Sequence, residues 1–175
     1  MGGLTVIPGI IDAHVHMVLD PSIFNPMSQI HDASDEAYAP MPERAAKMVR
    51  AGITTARDLG GGHWLELKLR DAINAGEIPG PRLLCAGQPV TSVKGHCHFW
   101  NGEADGLEEA REVIERQIEK GVDLIKIMAT GGNLTKGSDP SLAQFDLQTT
   151  AAIVKEANDR GFAVAAHCHG TQGID

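Results

Sequence analysis

The sequence predicts an α/β fold of parallel strands joined by crossover helices, with about five strands and four helices. Three observations predict it. Short apolar or β-branched runs alternate with longer helix-like segments along the chain. Each helix-like segment is followed by a glycine, at Gly52, Gly76, Gly121 and Gly161. The polar residues His14, His16, Asp58, Lys126 and His167 fall near the C-terminal ends of predicted strands, where barrel enzymes of this class place their chemistry.

Taken in order, Ile10 to His16 reads as the first strand, introduced by Pro8-Gly9. Pro42 to Ala51 reads as a helix, with proline near its start, Ala45, Ala46, Met48 and Val49 within, and Gly52 as its stop. Ile53 to Leu59 is rich in β-branched residues and predicts the second strand. His63 to Ala75 predicts the second helix and Arg82 to Ala86 a short third strand. Leu107 to Lys120 is a charged amphipathic helix, Asp123 to Ala129 the fourth strand, Leu147 to Arg160 the fourth helix and Phe162 to His167 the fifth strand. Crossovers between parallel strands should be right-handed. A doubly wound sheet and a (β/α)8 barrel share this alternation, so periodicity alone does not separate them. The long connection from Met17 to Met41 is a candidate active-site loop.

Composition excludes several function classes. The 175 residues carry a formal net charge of −8, opposite to what a nucleic-acid surface needs. No apolar stretch is long enough to span a bilayer, and Met1-Gly2-Gly3 leads straight into a strand-like run with no visible secretory signal. Cys85, Cys97 and Cys168 are isolated and odd in number. They predict neither a disulfide framework nor a zinc finger, and fit a reducing cytoplasm.

The richest segment is Pro8-Gly9-Ile10-Ile11-Asp12-Ala13-His14-Val15-His16. Alternate side chains of a strand share a face. Asp12, His14 and His16 therefore point one way, and two imidazoles on one strand face can chelate a divalent cation. Lys126, in Leu124-Ile125-Lys126-Ile127-Met128, is a lone cation in an apolar strand. Its burial is costly unless the charge is paired or neutralised. A salt bridge to Asp123 or Asp58 and a chemical role both fit the residues alone. His167 and His169 form a second alternating pair, with His169 one step into the following loop as a ligand, a supporting group or a substrate contact, or simply a solvated side chain. Gly95-His96-Cys97-His98-Phe99-Trp100 lies in a glycine-flanked loop. It reads as a substrate-side loop with His98 and Trp100 as candidate contacts, ahead of an independent metal site. The glycines at 60–62 and 131–132 read as tight βα turns, because neither carries a full phosphate-loop pattern.

The wording around His14 and His16 resembles the first barrel strand of the amidohydrolase superfamily, and in particular the imidazolonepropionase-like group that includes Xaa-Pro and Xaa-Arg dipeptidases. The likeness runs from Leu4 to Ile174. It implies a partial (β/α)8 barrel, since five strands cannot close one and a complete barrel needs about 250 residues. It also implies that residues 1–175 are the N-terminal portion of a hydrolase barrel, with 1–8 a remnant of a preceding β-domain and Leu4 to Ile7 its last strand. The resemblance casts His14, His16, Lys126 and His167 as metal ligands. Lys126 would be carboxylated by CO2 to a carbamate bridging two metals, zinc by preference. A hydroxide activated by the metals would then cleave an amide bond in a dipeptide, an N-acyl amino acid or a cyclic amide.

The histidine of a sixth strand and the aspartate of an eighth, which the family adds, have no counterpart in this sequence. An alternative expectation is therefore a non-catalytic fragment or half-barrel assembly module. The open edges of a part-barrel predict association with other copies or with the missing C-terminal portion.

Overall fold

The computed structural model describes residues 2–30 and 34–174. Met1, Asp175 and the stretch 31–33, which falls inside the candidate loop from Met17 to Met41, lie outside the described residues. In chain order the elements are β1 (Ile10–Val15), a 3-10 turn (Pro26–Gln29), α1 (Asp35–Tyr38), α2 (Met41–Arg50), β2 (Ile53–Asp58), α3 (Leu65–Asn74), β3 (Arg82–Cys85) and β4 (Thr91–Ser92). A second 3-10 turn (His98–Trp100), β5 (Glu103–Ala104), α4 (Leu107–Lys120), β6 (Ile125–Met128), α5 (Leu147–Asp159), β7 (Val164–His167) and α6 (Thr171–Ile174) follow.

Local chemistry accounts for the helix ends. Ser34 caps α1 by accepting the Ala37 N–H at 3.1 Å, and Asp146 caps α5 by accepting the Thr149 N–H at 2.6 Å. Pro42 sits in the first turn of α2, where its missing N–H costs nothing. α4 stops at Gly121, whose φ of +80° only glycine adopts freely. The nine long elements predicted from sequence are all present, each with ends within about two residues of the prediction. The short α1, both 3-10 turns and the two-residue pair β4–β5 carry no periodic signal and were not predicted. Leu4 to Ile7 form no strand and are exposed, because nothing in the described chain offers them a partner.

All strand pairs are parallel: β1 with β2, β2 with β3, β6 with β7, and β4 with β5 in a separate ribbon. Val90 joins the two larger sheets. Its N–H donates to Lys126 O and its carbonyl accepts the Met128 N–H, both at 2.8 Å. Lower down, the Asp123 N–H donates to Cys85 O at 2.8 Å. The result is an open arc ordered β1-β2-β3-β6-β7. Among the described residues β1 and β7 are not paired with each other, so the barrel is not closed.

The core lies between this arc and the helices. Ala45, Leu67, Leu69, Ile114, Ile153 and Ala157 from α2 to α5 pack on Ala56, Leu83, Cys85, Ile125 and Ile127. Each such large side chain contributes about 1.5–3 kcal/mol by leaving water. All four residues of β6 are buried, as befits the middle of the arc. Alternation then sends Ile125 and Ile127 to the helices, and Lys126 and Met128 to the inner face.

Candidate metal centre

The inner face of the arc closes over a cavity of about 240 Å³ whose lining includes His14, His16, His96, Lys126, His167 and His169. These six residues come from β1, β6, β7 and the loop after β4. No carboxylate lines it.

On β1 the shared face predicted for His14 and His16 is observed, with ring centroids 5.2 Å apart in an edge-on arrangement. The strand does not run evenly. Asp12 pairs with Ala56 and Val15 with Asp58, so β1 carries one extra residue around His14. Such a bulge re-aims side chains at a strand end. His16 falls just past the strand. Its Nδ1 lies 2.9 Å from Gly60 O, and its ring tilts on Trp100 at 5.1 Å. A carbonyl only accepts, so Nδ1 carries the proton and Nε2 keeps a free lone pair. Burial pushes the imidazole down to about 4, only partly opposed by the Gly60 bond. His14 is also lowered, first by burial and then by the charges of Lys126 and Arg57.

Lys126 is 1% exposed, and its Nζ has no hydrogen-bond partner among the described residues. Neither salt bridge considered from sequence forms. Asp123 is held by Arg70 at 2.8 Å and by the Cys85 N–H at 2.8 Å. Asp58 accepts the N–H groups of Met17 and Gly60 and shares the helix-facing side of β2 with Ala56, turned away from the cavity. Burial brings the Lys126 ammonium down to about 8. Its charge acts on His14, His16, His96 and His167 alike.

His167 closes β7, with Nε2 3.1 Å from Gly131 O. By the same argument Nε2 holds the proton and Nδ1 keeps a free lone pair. Burial, then His96 and Lys126, push it down to about 4. His169 is exposed at the cavity rim, with its ring centroid 4.5 Å from that of His167.

The loop after β4 places its candidate residues apart. His98 is not among the cavity-lining residues; its Nδ1 turns back to Gly95 O at 3.0 Å. Trp100 is buried at 3% exposure and supports His16 instead of facing the cavity. His96 is the residue brought in. It is buried, its Nδ1 lacks a partner among the described residues, and its ring lies 4.6 Å from that of His167. Its backbone is pinned by Gln144, whose Oε1 accepts the N–H, and by Thr91, whose hydroxyl donates to the carbonyl at 2.8 Å. Cys97 adopts a left-handed φ of +57° and the 3-10 turn follows. The segment from 93 to 97 is turn and not strand, so no alternation holds His96 and His98 to one face, and the two histidines diverge. Arg57 was also missed. It shares the inner side of β2, opposite to Asp58, and its Nε donates to Ala13 O at 2.8 Å.

Both glycine turns are tight connections. The Gly60 and Gly61 N–H groups go to Asp58 and Gly87 O, and those of Gly131 and Gly132 to Leu142 O and Ser138 Oγ. These four amides are therefore already engaged within the turns. Among the described residues no three histidine, cysteine or carboxylate side chains converge on one metal position. The histidines stand as pairs on β1 and β7 with the orphaned amine of Lys126 on β6 between them in the strand order. Neutral imidazoles around an unpartnered amine are donors of the kind a divalent cation takes, and an anionic oxygen donor at Lys126 would complete such a set.

Parallel strands with polar groups gathered on one side of the arc place the chain among the barrel-type α/β folds. More particularly, it belongs to the amidohydrolase family, whose sequence model matches residues 5–175. It is 29% identical over 197 residues to an ochratoxinase from Aspergillus niger, covering 97% of this chain and 40% of that protein. The crystal structure of a Xaa-Pro dipeptidase with methionine bound in its active site superposes with a TM-score of 0.85 at 30% identity, over 95% of this chain and 44% of the other. The Aspergillus niger ochratoxinase structure gives a TM-score of 0.82 at 28% identity, over 95% and 44%. The chain thus spans about two fifths of the length of the curated relative it matches, and its fold is an open part of a (β/α)8 barrel.

Proposed function

We propose that this protein is the N-terminal part of a metal-dependent hydrolase that cleaves amide or peptide bonds in small substrates such as dipeptides, N-acyl amino acids or cyclic amides. The observation that carries the reading is Lys126 Nζ, buried and unpartnered among neutral histidines. An ammonium there has no counter-charge. A carbamate would supply one. The lone pair of the neutral amine attacks the carbon of CO2, one proton leaves to solvent, and the product is an anion with two oxygens. Lowering of the lysine to about 8 leaves part of it neutral and nucleophilic at physiological pH.

In this reading His14 and His16 would hold one divalent cation and His167 a second, with the Lys126 carbamate as the anionic donor. Zinc suits imidazole and oxygen donors. The cations supply a Lewis acid and an activated water. The chain's residues do the rest. Gly60 O and Gly131 O fix which ring nitrogen of His16 and His167 is free. Trp100 keeps His16 from turning. His96 brings a buried ring nitrogen to the lining, able to hold the substrate's carbonyl or carboxylate, and His169 stands at the rim. The ochratoxinase and Xaa-Pro dipeptidase relatives support an amide substrate.

A second reading, an assembly module that is inactive alone, is favoured by the β1 edge, where Ile10 and Ile11 are 48% and 69% exposed. Association with the remaining barrel strands or with another copy would cover them. The free thiols of Cys85, Cys97 and Cys168 support a reducing compartment such as the cytoplasm. Native mass spectrometry with zinc and bicarbonate, alongside hydrolysis of dipeptides and N-acyl amino acids with and without a chelator, tests both readings. Bound metals, a carbamate mass and chelator-sensitive turnover are expected. Metal loading without turnover favours the module, and a plain amine at full metal loading refutes the carbamate.

A further inference from the structure

We propose that Asp58 is a positioning residue for His16: it fixes the place of the imidazole, and which of its nitrogens is free, through the backbone on both sides of the ring. The inference rests on the reading of His16 as a metal ligand.

Asp58 ends β2 opposite Val15, and its carboxylate is fully buried. It reaches two separate pieces of backbone. Oδ2 accepts the Met17 N–H at 2.7 Å, and Oδ1 accepts the Gly60 N–H at 2.9 Å. Met17 directly follows His16. Gly60 carries the carbonyl that takes the His16 Nδ1–H. One carboxylate therefore ties the peptide leaving His16 to the turn that receives its ring. Hydrogen bonds from N–H to an ionised acceptor are about twice as strong as neutral ones.

The turn cannot drift to another shape. Gly60 has a φ of +130°, and a Cβ there would meet Pro89 Cγ at 2.7 Å and Gly87 O at 2.9 Å. The bond from Asp58 to Gly60 alone would be an ordinary local turn. The bond across to Met17 is what a turn does not need and a ligand strand does.

Glu66 explains how the anion persists without a cation beside it. It is fully buried, neither oxygen has a partner among the described residues, and burial together with the charge of Asp58 drives its carboxyl upward. Burial raises the Asp58 carboxyl too, to about 7, but Asp58 accepts two N–H groups and Glu66 none, so Asp58 is the first of the pair to ionise and Glu66 holds its proton longer.

The test uses the full chain, wild type and Asp58→Asn. Zinc affinity is measured by competition with a chromophoric chelator. The ring nitrogens of His16 are read by ¹⁵N NMR in the metal-free protein at neutral pH. The wild type should show His16 protonated on Nδ1. In Asp58→Asn one amide must face a like N–H, so zinc affinity should fall about 10–100-fold and the two His16 tautomers should mix, while the His167 signals stay put. Glu66→Gln, which keeps a neutral side chain, should bind zinc as the wild type does. Equal zinc affinity and an unchanged His16 tautomer in Asp58→Asn overturn the inference and leave the metal reading intact. A wild type that binds no zinc but shows the tautomer change in Asp58→Asn overturns the metal reading and leaves the positioning role. If Asp58→Asn fails to fold, the wild-type spectrum decides: Nδ1–H with slow exchange at the Met17 and Gly60 amides supports the role, and an unprotonated Nδ1 refutes it.

Discussion

The imidazole of His96 lies 4.6 Å from that of His167, centroid to centroid, with the planes 34° apart. One ring belongs to an irregular loop and the other to β7, and burial pushes each down to about 4. Burial and the nearby Lys126 charge keep both neutral at pH 7, so both offer lone pairs.

The loop histidines should therefore separate cleanly. His96→Ala is expected to lower turnover or raise KM by about 10-fold or more, the scale of one lost hydrogen bond to a polarised substrate group. His98→Ala, whose ring turns to Gly95 O, should leave both near wild type. Steady-state kinetics on a dipeptide decides, and equal losses from the two changes would contradict the assignment.

Replacing both His14 and His16 with alanine should abolish binding at the first metal position, because the two imidazoles share one face of β1. Elemental analysis of metal per chain is the check. Unchanged loading would remove β1 from the centre.

Lys126→Ala should lose the second metal, and short carboxylic acids should restore part of it by standing in for the carbamate. Lys126→Met should make the metal-free chain more stable, by about 1–3 kcal/mol, since it removes a buried amine with no partner and fills the same space. Urea unfolding without metal tests this, and a loss of stability would show that Nζ has a partner.

Stability should respond to pH through two opposed sets of groups. His16, His96 and His167 are lowered on folding, so their contribution is present above the ordinary histidine value near 6.5 and is lost as pH falls toward about 4. Glu66 is raised to about 8, so its contribution is present below the ordinary carboxylate value and is lost as pH rises toward 8. Above pH 6.5 only the buried carboxyls still change, Asp58 up to about 7 and Glu66 up to about 8, both losing stability as pH rises. The wild type should therefore lose stability between pH 6.5 and 8, and Glu66→Gln should lose less. Urea midpoints across that window give the answer; parallel slopes would contradict the protonated Glu66.

Assembly follows from the open arc. Ile10 and Ile11 are exposed on an unpaired parallel edge, which invites another strand. Light scattering at micromolar concentration should show species heavier than the 18.6 kDa chain. A monodisperse monomer with cooperative unfolding and no dye binding to apolar surface would refute it.

The sequence by itself determined the nine long elements, their parallel arrangement and the strand-end positions of His14, His16 and His167, whereas Lys126 sits second in the four-residue β6 and not at its end. Those features follow from local rules: period-2 alternation, apolar runs and glycine stops act over a few residues and are legible in one dimension. The tertiary structure decided what depends on distant partners. Lys126 could have paired with Asp58 or Asp123, and only the packed arc shows those carboxylates bonded to Met17, Gly60 and Arg70 instead. His96 and His98 look alike in sequence, and the left-handed Cys97 sends one into the cavity and the other back on its own loop. The bond from Asp123 N–H to Cys85 O and the bridge from Val90, beside β4, to Ile127 join β6 to the first sheet and bring the β1 and β7 histidines into one cavity, and no local pattern encodes contacts across that span.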